Sequence, residues 1–123
     1  MDAILQDRSI LVVEDQPLVA LDIADSFSQA GASVLRAATL QEGLPLAEHP
    51  QLSAAILDFG LRDGDSGVLC ARLTERGIPF VVYTGYDQVH EACRAGLLVQ
   101  KKAPPETLLR TVAQLLSDGQ RPP

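Results

Sequence analysis

The chain has 123 residues, a formal net charge of −6, 46% hydrophobic residues and five aromatics. That length supports one ordinary domain with an aliphatic core, burying roughly two-thirds of its unfolded surface. The acidic balance excludes bulk electrostatic binding to DNA or to an anionic membrane surface, and no apolar run approaches the roughly 20 residues needed to cross a bilayer. The start MDAILQDRS lacks the basic-then-apolar order of a signal peptide, so a soluble cytoplasmic protein is expected.

Apolar runs of strand length alternate with stretches of helical period, the pattern of repeated βαβ units. The first strand is expected at about Ser9–Val13, ending in Glu14-Asp15. A helix starts near Pro17, whose fixed φ suits a first turn, and stops before Gly31. On it Val19, Ile23, Phe27 and Ala30 share a core face. Leu18 and Leu21 fall opposite, either as incidental exposed leucines or as a partner or dimer surface. The second strand is about Ser33–Ala37. Thr39 with Glu42 forms a capping box for a second helix, which Gly43 and Pro45 shorten or kink.

The third strand, Ala54–Asp58, is apolar until its last residue, as befits a strand covered on both faces. A loop over Gly60–Gly67 carries Asp63 and Asp65, read as solvated acids, and a helix runs from about Ser66 to Arg76. The fourth strand is Phe80–Thr84, Asp87 caps a short fourth helix ending at Gly96, and the fifth strand is Leu97–Lys101. A last helix runs from about Pro105 to Ser117 with a buried stripe of Leu108, Val112, Leu115 and Leu116. The core is thus expected over about 9–117, with Asp118–Pro123 expected to form a flexible tail and no attached output module expected. Cys70 and Cys93 fall in expected helices without a CxxC or Cys/His cluster, and read as buried reduced thiols rather than a disulfide or zinc framework. His49 and His90 are isolated and read as surface histidines.

In an open parallel sheet, functional groups gather beyond the carboxyl ends of the strands. Glu14, Asp15, Asp58, Thr84 and Lys101 all stand at such ends. Three neighbouring carboxylates repel one another, and a hard cation such as Mg²⁺, or Mn²⁺, relieves the conflict. Asp15 and Asp58 are expected to bind it directly, Glu14 through water, with the Gly60 carbonyl a further ligand. Asp58 can attack phosphorus to give an acyl phosphate. Lys101 and Thr84 would then contact the new phosphoryl oxygens, and drawing Thr84 inward would move the fourth strand and helix.

Four spaced segments, VVEDQP, AAILDFGLRDGDSG, VVYTG and VQKKAPPETL, together resemble the receiver domain of bacterial two-component response regulators over roughly Ser9–Leu116. The resemblance implies a flavodoxin-like (CheY-like) doubly wound α/β fold: a five-stranded parallel sheet in order 2-1-3-4-5 with helices on both faces. It further implies Mg²⁺ dependence, phosphotransfer to Asp58 from a histidine kinase or phosphotransfer protein, and slow self-catalysed dephosphorylation. The FVVYTGY segment is similar to a subgroup of stand-alone receivers reading Phe-Ala-Thr-Gly, with Tyr83 where the subgroup has alanine.

Three departures stand out. Lys101-Lys102 replaces the family's Lys-Pro with its cis bond, so a trans bond or a rearranged loop is expected. Leu98 occupies the position of a switching aromatic. Sixteen residues separate Thr84 from Lys101, which shortens the fourth helix. Gly60 and Tyr86 occupy loop positions that tune phosphoryl lifetime in the family. The reading is a single-domain response regulator, a monomer or weak dimer, rather than an enzyme, with a downstream protein the sequence does not name. The rivals are a receiver-like binding module that signals without phosphorylation, a small Mg²⁺-dependent phosphatase, for which Gly60 stands where a second acid belongs, and an FMN-binding protein.

Overall fold

The computed structural model describes residues 3–85 and 89–119. Its strands are β1 (Ser9–Val13), β2 (Ser33–Ala37), β3 (Leu52–Asp58), β4 (Gly60–Leu61), β5 (Gly64–Asp65), β6 (Phe80–Thr84) and β7 (Leu97–Gln100). The α-helices are α1 (Pro17–Gln29), α2 (Leu40–Leu46), α3 (Gly67–Glu75) and α4 (Pro105–Gly119), with 3₁₀ helices at Ala3–Leu5 and Glu91–Ala95. Five strands form one parallel sheet in the order β2-β1-β3-β6-β7, the expected doubly wound arrangement with β6 and β7 as its fourth and fifth strands.

Alternation along the strands divides the core. Leu11, Val13, Ala55, Leu57, Phe80 and Val82 pack with Leu69 and Leu73 of α3. Ile10, Val12, Ala54, Ile56, Val81 and Tyr83 pack with Ile23 and Phe27 of α1 and with Leu108, Val112 and Leu116 of α4. Each fully buried aliphatic side chain contributes roughly 1.5–3 kcal/mol by leaving water, enough for the central strands to carry polar groups at their ends. Leu18 and Leu21 are exposed, as their helical phase predicts.

Helix boundaries follow local chemistry. Pro17 opens α1, and Gly31, at φ 95°, ends it by donating to the Ser28 carbonyl at 3.0 Å. The Thr39 hydroxyl accepts from Glu42 N at 3.1 Å, and the Glu42 carboxylate accepts from Ala38 N at 2.7 Å. With Pro45 inside it, α2 spans only 7 residues.

Several expectations need correction. Cys70 and Cys93 are joined in a disulfide: α3 and the second 3₁₀ helix bring their Cα atoms 4.9 Å apart across a sequence separation of 23. No spacing motif in the sequence marks that pair. The fourth helix is reduced to the 3₁₀ turn Glu91–Ala95, capped by His90 Nδ1 accepting from Ala92 N at 3.0 Å. The expected cap, Asp87, lies outside the described residues. The loop after β3 contains the small β4–β5 hairpin, and α4 continues through Asp118 to Gly119, beyond the expected end at Ser117. Asp63 is not a merely solvated acid, since its carboxylate accepts from Leu40 N and Gln41 N at 2.8 and 3.1 Å, capping α2. Asp65 caps α3 in the same way, accepting from Gly67 N at 2.8 Å. The peptide bond after Lys101, by contrast, is trans as expected.

Candidate functional site

Strand register brings the polar ends together. Val13 pairs with Leu57, so Glu14 and Asp58 stand level at the ends of β1 and β3. Asp58 pairs with Tyr83, putting Thr84 one residue beyond, and Thr84 pairs with Gln100, putting Lys101 one residue beyond that. The Lys101 N–H donates to the Thr84 carbonyl at 3.0 Å, extending the β6–β7 ladder by one bond.

Glu14, Asp15 and Asp58 each offer a carboxylate oxygen, and these oxygens lie within 4.8 Å of one another. Glu14 and Asp58 are buried and Asp15 is half-buried. The Lys101 ammonium donates to Asp58 Oδ2 at 3.1 Å and lies 3.7 Å from Glu14 Oε1. Asp15, Gln16, Asp58, Gly60, Gly85 and Lys101 line a cleft of about 370 Å³ over this cluster. A larger cleft of about 450 Å³ shares Glu14 and Asp15 but runs toward Arg36 and Glu42, away from Asp58 and Lys101.

Electrostatics show an unbalanced site. Three carboxylates against one ammonium leave a formal charge of −2 when all are ionised. Burial is the main cause that pushes the Glu14 carboxyl up to about 7, with the Asp58 charge adding to it. The Gln16 N–H, which donates to Glu14 Oε2 at 3.0 Å, and the Lys101 charge oppose the rise. Burial disfavours the Lys101 ammonium, yet its hydrogen bond to Asp58 and the fields of Asp58, Glu14 and Asp15 outweigh this and hold its pKa above the ordinary lysine value.

Glu14 Oε1 is buried without a hydrogen-bond partner, since 3.7 Å to Lys101 is beyond bonding range. An orphaned carboxylate oxygen beside two more carboxylates, with a formal excess of two negative charges, fits a divalent hard cation. Such an ion, reached by Glu14 through a bound water, would satisfy that oxygen and balance the charge.

The sequence-predicted residues therefore converge. Gly60 lines the cleft, Lys101 rather than the exposed Lys102 faces the acids, and Thr84 is fully buried at the end of β6. Tyr86 lies outside the described residues. His49 Nδ1 accepts from Gln51 N at 3.1 Å, and with His90 it serves local turns rather than the cleft. Two contributors escaped the sequence reading. The buried Ser66 hydroxyl donates to the Asp58 carbonyl, and the Tyr83 hydroxyl donates to the Lys101 carbonyl at 2.9 Å. Ser66 was visible only as a helix start and Tyr83 only as a strand residue.

No family model and no curated protein matches the sequence. Solved structures do. A CheY-like response regulator receiver domain protein from Methanospirillum hungatei is 25% identical with a TM-score of 0.82, the match covering 94% of this chain and 98% of that one. A response regulator from Burkholderia pseudomallei, whose structure holds a phosphorylated aspartic acid, a calcium ion and citrate, is 25% identical with a TM-score of 0.76. That match covers 93% of this chain and 71% of the other. A receiver protein from Sinorhizobium medicae reaches a TM-score of 0.81 at 17% identity, covering 94% and 99% of the two chains. The fold is that of CheY-like response regulator receiver domains. Among the described residues, no helix is long and apolar enough to cross a membrane.

Proposed function

We propose that this receiver-fold chain is a cytoplasmic response regulator in which Asp58 accepts a phosphoryl group from a histidine kinase or a histidine phosphotransfer protein. The observation that carries this reading is the pairing of the buried Asp58 carboxylate with the Lys101 ammonium at 3.1 Å, inside a carboxylate cluster suited to a divalent cation. In the transfer, an Asp58 oxygen attacks phosphorus. The O–P bond forms as the P–N bond to the donor imidazole breaks, and the imidazole keeps the electron pair and takes up a proton.

Asp15 and Asp58 would hold Mg²⁺ or Mn²⁺ directly, Glu14 through water, and the Gly60 carbonyl would complete the protein ligands. When bound, the cation offsets the charge of the phosphoryl oxygens. The transferred group brings about −1.5 to −2 charge to Asp58. Lys101 then turns its ammonium from Asp58 Oδ2 to a phosphoryl oxygen, and the Thr84 hydroxyl donates to another. Output follows as protein binding, phosphate shuttling or service as a phosphate sink.

Incubation with acetyl phosphate and Mg²⁺, read by intact mass, tests this. The expected gain is one phosphoryl group, absent in Asp58→Ala. No gain, or a gain that survives the substitution, overturns the reading. It would favour a phosphorylation-independent binding module, a rival supported by the reduced 3₁₀ turn before β7 and by exposed Leu98.

A further inference from the structure

Tyr83 is the register partner of both Asp58 on β3 and Val99 on β7, so its ring lies in the row joining the two strands. The residue is 7% exposed and packs in the core cluster shared with α1 and α4. A phenol buried for its ring alone would leave its hydroxyl without purpose. Here the hydroxyl reaches two residues past Val99, about 6.6 Å along the strand, and donates to the Lys101 carbonyl at 2.9 Å.

Lys101 is consequently held at both backbone polar groups by consecutive residues of β6. Its N–H donates to the Thr84 carbonyl at 3.0 Å and its C=O accepts from Tyr83. The turn around it closes with Ala103 N donating to the Gln100 carbonyl at 2.9 Å. Pro104 and Pro105 follow, and neither has an N–H with which to replace a lost donor. With its backbone fixed, Lys101 has only its side-chain torsions to order before its ammonium meets Asp58 Oδ2 at 3.1 Å.

We propose that Tyr83 is a positioning residue for Lys101: its hydroxyl fixes the backbone from which the lysine ammonium reaches Asp58. This rests on the reading of Asp58 as the phosphoryl acceptor. Tyr83 is not among the residues lining the cleft over the carboxylates and acts through Lys101.

Tyr83→Phe removes one oxygen and keeps the ring's packing. Loss of one such hydrogen bond predicts a fall on the order of fivefold in the rate of phosphorylation by acetyl phosphate at saturating Mg²⁺. The Mg²⁺ concentration giving half the maximal rate stays at the wild-type value. By NMR, the Lys101 carbonyl carbon resonance shifts and the Lys101 ammonium signal broadens as the amine loses its fixed station. A wild-type rate with unchanged Lys101 signals overturns the proposal. So does a rate loss accompanied by an equal rise in the Mg²⁺ requirement and a broadened thermal transition, which marks general packing damage. If the wild-type protein takes up no phosphoryl group, the proposed function fails, while the NMR comparison of the two proteins still decides the role of Tyr83.

Discussion

A divalent cation entering the carboxylate cluster should displace a proton, and the proton belongs to Glu14. Burial raises this carboxyl from an ordinary 4.5 to about 7. At pH 6 about nine in ten metal-free molecules therefore carry a neutral Glu14, and at pH 8 about one in ten. Because the cation needs the ionised form, apparent Mg²⁺ affinity should rise about tenfold between those pH values, roughly 1.4 kcal/mol. Isothermal titration at pH 6.5 in two buffers of different ionisation enthalpy should report release of a large part of one proton per Mg²⁺. Glu14→Gln should abolish the release and flatten the profile.

The same proton sets stability in the absence of metal. A folded-state pKa above the unfolded value means that neutral Glu14 favours the fold. That stabilisation is complete below about 4.5 and is lost as pH rises through about 7. The gap corresponds to roughly 3 kcal/mol between the acid and neutral ends. Urea titrations should show the metal-free midpoint falling over this window and Mg²⁺ restoring it. A Mg²⁺ affinity flat from pH 6 to 8, with no proton released, would refute the linkage between Glu14 and the cation site.

Three further outcomes follow from named contacts. Reducing the Cys70–Cys93 disulfide, or replacing both cysteines by alanine, should cost about 3 kcal/mol from loop entropy alone for a separation of 23, and an unchanged urea midpoint with and without reductant would contradict this. Ser66→Ala removes the hydroxyl that serves the buried Asp58 carbonyl and should cost about 1–3 kcal/mol by chemical denaturation, with slower phosphoryl uptake. Lys101→Ala leaves Asp58 and Glu14 facing each other without their shared cation. It should destabilise the metal-free protein by about 1–3 kcal/mol, discounted from a fully buried pair because the lysine is 29% exposed, with Mg²⁺ recovering most of the loss in a thermal melt.

The sheet was legible because each central strand is a short, largely apolar run ended by polar residues, and parallel register aligns such ends without needing tertiary information. Glu14, Asp58, Thr84 and Lys101 could be placed at one edge for that reason. Hydroxyl roles were not legible. Ser66 and Tyr83 act on the carbonyls of Asp58 and Lys101, and nothing in a sequence says which carbonyl a hydroxyl will meet. Asp63 reads as a loop acid until folding carries it to the N-terminus of α2, 23 residues back along the chain from Leu40's partner position. The disulfide escaped for the same reason: its halves meet only once α3 and the second 3₁₀ helix share a face of the sheet.

That covalent link bears on how a signal could leave the site. Cys93 sits in the short stretch joining β6 to β7, the region immediately downstream of Thr84, and it is riveted to the middle of α3. While the rivet holds, the 3₁₀ turn Glu91–Ala95 cannot swing alone; any displacement that reaches it has to carry α3 with it. The oxidised protein should therefore answer with a concerted tilt of two elements, and thiol reduction would free one of them to travel by itself.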